Sequence, residues 1–431
     1  VRGRVLAPGD GGYAAARVLF NTRFDGIRPP AVVRVRDSAD VQAAVRWAAR
    51  FDVPLVARSG GNAYNGSSTS ASAVVIDVGA LDTVAVDGGR VVLGPGGRLL
   101  PVQARLARRG LTFPAGSCPN VAVGGHALGG GFGLSGRAHG LALDRIRAIR
   151  VVTADGRRRR VTARDGEELF WALRGGGGSF GIVVAFEIDP VRATDGAWFR
   201  VTYPAAQREE ALAAFDGFAP AAAPELTSIL GLTPSGAQAF GQFLGSERRM
   251  RRLLGPLTRV AGASLSTGAA SHMTLMRRWA ACATQTTPAQ CAALPRQPFA
   301  ASSVYVTDPV PAEGRRAFAR AADTGATLLC DAYGGAVSRR TPDATAFVHR
   351  DVRFSVQVLR YAAIGTAVPE VARARRLIAP FGNGHAYQNY PDPGIGRPLR
   401  AYYGANLARL RAVKEAVDPG GRFRPAQGVR A

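Results

Sequence analysis

The sequence predicts an α+β chain built in two interleaved parts, and three observations predict it. Short apolar runs alternate with helix-like runs through about the first 190 residues, broken by dense glycine loops. From about residue 195 the glycine clusters thin out and longer helical stretches appear. The last fifty or so residues change texture once more. A length of 431 residues favours more than one domain, and 47% hydrophobic content is enough for separate cores. The expected division is 1–193, 194–380, and 381–431, with the last segment returning to the first.

Val1 to Asp10 reads as neither a leader nor an ordered strand. Ser38 is placed to cap a helix with Val41, Ala44, Val45, Ala48 and Ala49 on one face. Leu55-Val56-Ala57, Ala73 to Val78 and Arg90 to Leu93 read as short strands. Leu99 to Arg109 reads as a helix stopped by Gly110, since glycine takes the left-handed conformation that ends helices. Ile146 to Thr153 and Arg160 to Thr162 read as a hairpin turning at Asp155-Gly156. Glu167 to Arg174 is a short helix, and Ile182 to Ile188 a strand. Beyond 195, Glu209 to Phe218 and Val368 to Ile378 read as helices, Val304 to Val306 and Phe354 to Leu359 as strands. Gly404 to Val417 reads as a helix stopped by Asp418-Pro419-Gly420-Gly421.

Net charge is +24, from 55 basic against 31 acidic residues. A balance this basic raises nucleic-acid binding as a question. The arginines are dispersed and lack interleaved aromatics, so the expectation is no nucleic-acid partner. The one dense run, Arg157 to Arg160, fits a solvated hairpin edge. No run of eighteen apolar residues is present, so no membrane span is expected. Cys282 and Cys291 are close enough for a disulfide, which would place the chain in an oxidising compartment, outside the cell. Two unpaired buried thiols and a cytoplasmic location are the alternative. No cysteine spacing suits a metal, and none is expected. Oligomeric state leaves no signal.

The chemistry concentrates in glycine-rich loops. Arg58-Ser59-Gly60-Gly61-Asn62 ends a strand and leads to Asn65, Gly66, Ser67 and Ser68. Cys118 precedes a second loop with Val121, Gly124, Gly125, His126, Gly129, Gly130, Gly131 and Gly133. A third runs from Gly175 through Gly178 to Gly181 and Val183. Glycine lets the backbone approach a ligand closely, and successive amides form nests for anions. Three nests in one half-chain suit a long dinucleotide lying extended across a domain. None has the βαβ context of a Rossmann fingerprint.

The chain resembles the berberine-bridge-enzyme-like flavin oxidases of the vanillyl-alcohol-oxidase superfamily. The markers are Arg58 to Gly61, Gly116 to Gly133, Phe170 to Val183, Tyr387-Gln388-Asn389-Tyr390-Pro391-Asp392 and the closing Tyr402-Tyr403-Gly404, Arg409-Leu410, Lys414 and Asp418-Pro419. The resemblance implies a PCMH-type FAD-binding domain with an inserted substrate domain, an antiparallel sheet covered by helices. Many family members hold FAD through a histidine and a cysteine. Here Cys118 keeps the cysteine, whereas Asn62 stands at the histidine position, and an amide is not nucleophilic. The implication is one 6-S-cysteinyl link, with non-covalent FAD as the alternative. His126 matches a flavin-contacting residue and is expected to donate a hydrogen bond to it. Val121 matches a small residue that leaves room for oxygen, implying an oxidase that forms hydrogen peroxide.

Tyr390 is the first candidate for the base, with Tyr387 its neighbour and Asn389 beside the cofactor. A phenol with a pKa near 10 needs a cation or a second tyrosine to serve as a base at neutral pH. Tyr64 matches a substrate-pocket position in oligosaccharide-oxidising relatives, and Gln357 is a candidate polar contact. The expected activity is hydride transfer from a hydroxylated small molecule, a sugar, glycoside or secondary metabolite, to FAD and then to oxygen. The rivals are a dehydrogenase, a ring-forming or C–N-oxidising tailoring enzyme, and a basic binding protein without catalysis.

Overall fold

A computed structural model describes every residue except Thr284. Two main sheets and a two-stranded ribbon, Leu111–Thr112 paired with Val191–Arg192, form the cofactor half. Leu55–Arg58, Val74–Asp77 and Val32–Arg34 pair in parallel, with Arg4–Leu6 antiparallel at the edge. The N-terminal strand corrects the expectation of an unstructured start. Its neighbourhood is tied down by Asp40, whose carboxylate accepts the amides of Gly3 and Arg36, both at 2.9 Å. A second sheet runs in the order Val84–Asp87, Arg90–Leu93, Ile182–Ile188, Ile146–Val152, Arg158–Val161. Its last two strands form the expected hairpin, with Gly156 at φ +71° in the turn.

The helix Ser38–Arg50 packs between these sheets through Val41, Ala44, Val45 and Ala48. Two details differ from the sequence reading. Asp37 is the cap, accepting the amides of Ala39 and Asp40 at 2.9 and 3.0 Å, and Ser38 is the first helical residue. Ala49 lies on the exposed side. The carboxylate wins because it is one residue further out, where the first amides point.

The second half is a seven-stranded antiparallel sheet. Its order is Ser264–Ala270, Gly196–Pro204, Gly236–Phe243, Leu226–Thr233, Thr327–Ala332, Phe354–Tyr361, Phe299–Val306. The helices Arg208–Phe218, Ala312–Ala322 and Ile364–Ile378 cover one face, burying Phe215, Phe318, Val371, Leu230, Leu328 and Val356. The other face looks toward the cofactor half. Residues 386–430 pack back on the first half: Phe423 bridges to Leu55, and Lys414 donates to the Ser179 carbonyl at 2.7 Å. The helical stretch near 404 is a short 3-10 turn, Gly404–Asn406, followed by the helix Leu407–Val417.

Cys282 and Cys291 form a disulfide. With Ala280 and Met276 it packs on Leu100 of the helix Leu99–Ala107, tying the second half to the first. No helix among the described residues is long and apolar enough to cross a membrane, and among them no cluster of histidine, cysteine and carboxylates could hold a metal.

Candidate active site

A cavity of about 1820 Å³, counting its open mouth, runs between the two halves. All three glycine loops line it. From the first come Ser59, Gly60, Gly61, Asn62, Tyr64 and Ser67; from the second, Cys118, Val121, Gly124, Gly125, His126, Gly129 and Gly133; from the third, Gly178, Gly181 and Val183. Tyr387, Asn389 and Tyr390 enter from the C-terminal segment, and Asp331 and Ile229 from the seven-stranded sheet.

Five sequence-predicted residues stand behind the wall. The Arg58 guanidinium is spent on the carbonyls of Ala16, Arg17 and Ser68, so it braces the loop from outside the cavity. Gly66 turns at φ +74° against the Phe24 ring, which a Cβ would meet at 2.8 Å. Gly130 and Gly131 pack into the protein: a Cβ on Gly131 would lie 2.4 Å from that of Ala142. Gln357 reaches the site only through Tyr64, whose hydroxyl accepts its amide at 2.9 Å.

The loops are fastened to one another. The Asn62 amide donates to the carbonyls of Gly60 and Asn120 at 3.0 and 3.1 Å, and its oxygen accepts from the Asn120 amide at 3.1 Å. Arg98 donates to the same two carbonyls. His126 accepts the Gly116 amide at Nε2, 2.9 Å, which leaves its proton on Nδ1. Burial pulls its pKa down to about 4, so the ring is neutral at physiological pH. The Tyr387 hydroxyl accepts from the amides of Gly131 and Phe132 and from Asn389, which holds it in a structural network.

The cavity suits a dinucleotide on its own geometry. The amides of Gly60, Gly61, Asn62 and Ala63 meet no acceptor among the described residues, so they remain available to an anion. A Cβ at Gly125 or Gly178 would meet no protein atom and would project into the cavity instead. Cys118 and Cys330 are the free cysteines, and only Cys118 faces the cavity. Its side chain is open to the cavity, and desolvation by the cavity walls, followed by the nearby Asp331, pushes its thiol up.

At the inner end, Tyr390 donates its hydroxyl to Asp331 at 3.2 Å, and Ser355 donates to the same oxygen at 3.1 Å. Burial raises the Asp331 pKa to about 7. It also holds the Tyr390 phenol well above its ordinary value, and Asp331 adds to that. The Tyr64 ring stacks parallel to Tyr390 at 5.9 Å. Tyr390 was expected to rely on a cation or a second tyrosine; Tyr64 and Tyr387 both lie against it, Tyr387 edge-on at 4.8 Å, and a carboxylate not foreseen in the sequence joins them. Sequence reasoning missed Asp331, although a lone acid inside the apolar run Leu328-Leu329-Cys330-Asp331-Ala332 was a usable signal.

Residues 29–162 match the profile of an FAD binding domain, and 386–430 match one described as berberine and berberine like. Berberine bridge enzyme-like 1 of Arabidopsis thaliana is 31% identical, over 95% of this chain and 86% of that protein. This chain belongs to the berberine-bridge-enzyme-like FAD-linked oxidoreductases. A chitooligosaccharide oxidase of Gibberella zeae is 29% identical over 98% of this chain and 92% of its own length. The solved Physcomitrella patens BBE-like 1 superposes with a TM-score of 0.94, 29% identity, and coverage of 99% and 96% of the two chains. The family binds FAD, and the residues lining this chain's cavity fit that cofactor.

Proposed function

We propose that this berberine-bridge-enzyme-like protein is an oxidase. It would take hydride from a hydroxyl-bearing carbon of a sugar, glycoside or similar metabolite and form hydrogen peroxide from oxygen. The observation that carries the reading is the Tyr390–Asp331 hydrogen bond at the inner end of the cavity that Cys118 faces. Bound FAD supplies the hydride acceptor and the route of electrons to oxygen.

Oxidising an alcohol releases a proton, and a positioned base must take it. Burial disfavours a free Tyr390 phenolate. Tyr390 therefore accepts the substrate proton at its oxygen as its own proton passes to Asp331. The phenol relays and the carboxylate is the base. Tyr64, stacked on Tyr390, presents a flat surface for a sugar ring. The neutral His126 keeps Nδ1–H available as a donor. Val121 lines the cavity with Cys118, and the family resemblance supports reading so small a residue as leaving room for oxygen. The likeness to a protein named as a chitooligosaccharide oxidase supports a carbohydrate-type substrate.

Cys118 would hold the cofactor by a single thioether, because Asn62 is a loop clasp and cannot bond to a flavin. Acid precipitation tests the link: colour should stay with the pellet, and Cys118→Ala should release it to the supernatant. Stopped-flow tests the oxidase. Fast reoxidation of the reduced enzyme by oxygen is expected, and slow reoxidation would make it a dehydrogenase.

A further inference from the structure

The sheet face that carries Asp331 holds more than the reacting group. Cross-strand register places Phe240, Ile229 and Asp331 in one row, with Gln238, Gly231 and Leu329 in the next. Asp331 is the sole carboxylate in these rows. Phe240, Ile229 and Leu329 are only half-buried. On the opposite face Leu230, Leu328 and Cys330 are fully buried under the helices. The core is complete without the half-exposed set, so those side chains are free to serve a ligand. Gly231 has no side chain, which keeps the floor level between Ile229 and Leu329. Trp279 stands at the side, its indole N–H held by Gln242 at 2.8 Å and its ring 5.8 Å from Phe240. Ile229 itself lines the cavity, with Phe240 and Leu329 on neighbouring strands beyond that lining, so the floor borders the reaction site at Ile229.

We infer that the substrate is a glycoside with an apolar aglycone: the sugar hydroxyl meets Tyr390, and the aglycone lies on Phe240, Ile229 and Leu329. Burying apolar ligand surface on such a floor contributes roughly 25 cal/mol per Å². An oligosaccharide unit lying on Phe240, Ile229 and Leu329 would have hydroxyls that these three side chains cannot partner, with Gln238 and Arg200 only at the margin, which costs affinity. This inference rests on the oxidase reading for its chemistry, and a binding measurement separates the two.

Phenyl and hexyl β-glucosides are titrated into the holoenzyme against methyl β-glucoside and cellobiose, with perturbation of the flavin absorbance as the binding readout and peroxide release as the turnover readout. The phenyl and hexyl glucosides should bind about tenfold tighter than the other two, on the area estimate above. Ile229→Asn and Phe240→Asn should remove most of that preference, while Phe240→Leu, which keeps an apolar surface, should retain it. Equal binding of all four probes overturns the inference, as does a preference that survives both asparagine variants. Tight binding of the phenyl glucoside without peroxide release would leave the inference standing and sink the oxidase reading.

Discussion

A carboxylic acid buried against a phenol is the residue-scale device of this enzyme, and its two effects pull in opposite directions. On the proposed relay Asp331 must be ionised to receive a proton, and its pKa of about 7 puts that change near neutrality. Flavin reduction by substrate should therefore rise as pH increases through about 7, then level off. Asp331→Asn should remove that dependence and slow reduction about 10²–10⁴-fold, as should Tyr390→Phe, measured anaerobically by stopped-flow. A slow variant that keeps the wild-type pH profile would count against Asp331 as the proton acceptor. Stability runs the other way. The folded pKa lies above the unfolded value of about 3.9, so the folded state binds more protons between pH 4 and 7 and loses stability as pH rises through that window. Asp331→Asn should therefore be more stable than wild type at pH 8, by on the order of 2–4 kcal/mol, and closer to it at pH 4. The place of Tyr390 in the cavity wall was legible in the sequence because it sits in a recognisable motif. For Asp331 the one local signal was a lone acid inside an apolar run; its pairing with Tyr390 comes from a fold-back of the C-terminal segment, which that run does not encode.

Among the elements, those with a clear period were legible and those shaped by tertiary contact were not. Arg90–Leu93 and Ile182–Ile188 have the bounds expected from their β-branched runs. Phe299–Val306 was read only at its end, because Ala300-Ala301-Ser302-Ser303 has little strand character and owes its conformation to the partner strand Phe354–Tyr361. The disulfide-bonded segment is the element whose contribution can be measured directly. Its bond closes a loop of about ten residues, worth roughly 2.5–3 kcal/mol to the ordered form. Its partner, the helix Leu99–Ala107, follows Arg98, which clasps the first two cofactor loops. Replacing both Cys282 and Cys291 by alanine should speed amide exchange in the 280–292 segment and in Leu99–Ala107, leaving the parallel sheet unchanged. Unaltered protection in both would show that packing on Leu100 alone orders the segment.

At the scale of the whole molecule, the chain leaves the cofactor half, builds a second sheet and returns, so the fold depends on how the returning tail is locked. Lys414 and Asp418, each 1% exposed, form that lock. Lys414 donates to Asp418, to the Ser179 carbonyl in the third glycine loop at 2.7 Å, and to the Phe423 carbonyl at 2.9 Å. Asp418 in turn accepts the amides of Arg422 and Phe423 at 2.7 and 2.9 Å. Every hydrogen-bonding capacity of the ammonium is thus used, and one of its three partners, Ser179, lies 235 residues away in the chain. Burial draws the Lys414 pKa below its ordinary value while Asp418 holds it up. Lys414→Met would leave Asp418 buried without its counter-charge and free the Ser179 carbonyl, a loss of about 3–5 kcal/mol. The same loop carries Gly178 at the cofactor cavity, and Ser179 also accepts the Val429 amide at 3.0 Å, so the tail and the cradle should loosen together. The expected outcome is a lowered melting temperature accompanied by a smaller fraction of protein carrying flavin. A lowered melting temperature with full flavin loading would mean that the tail stabilises the fold without shaping the cradle.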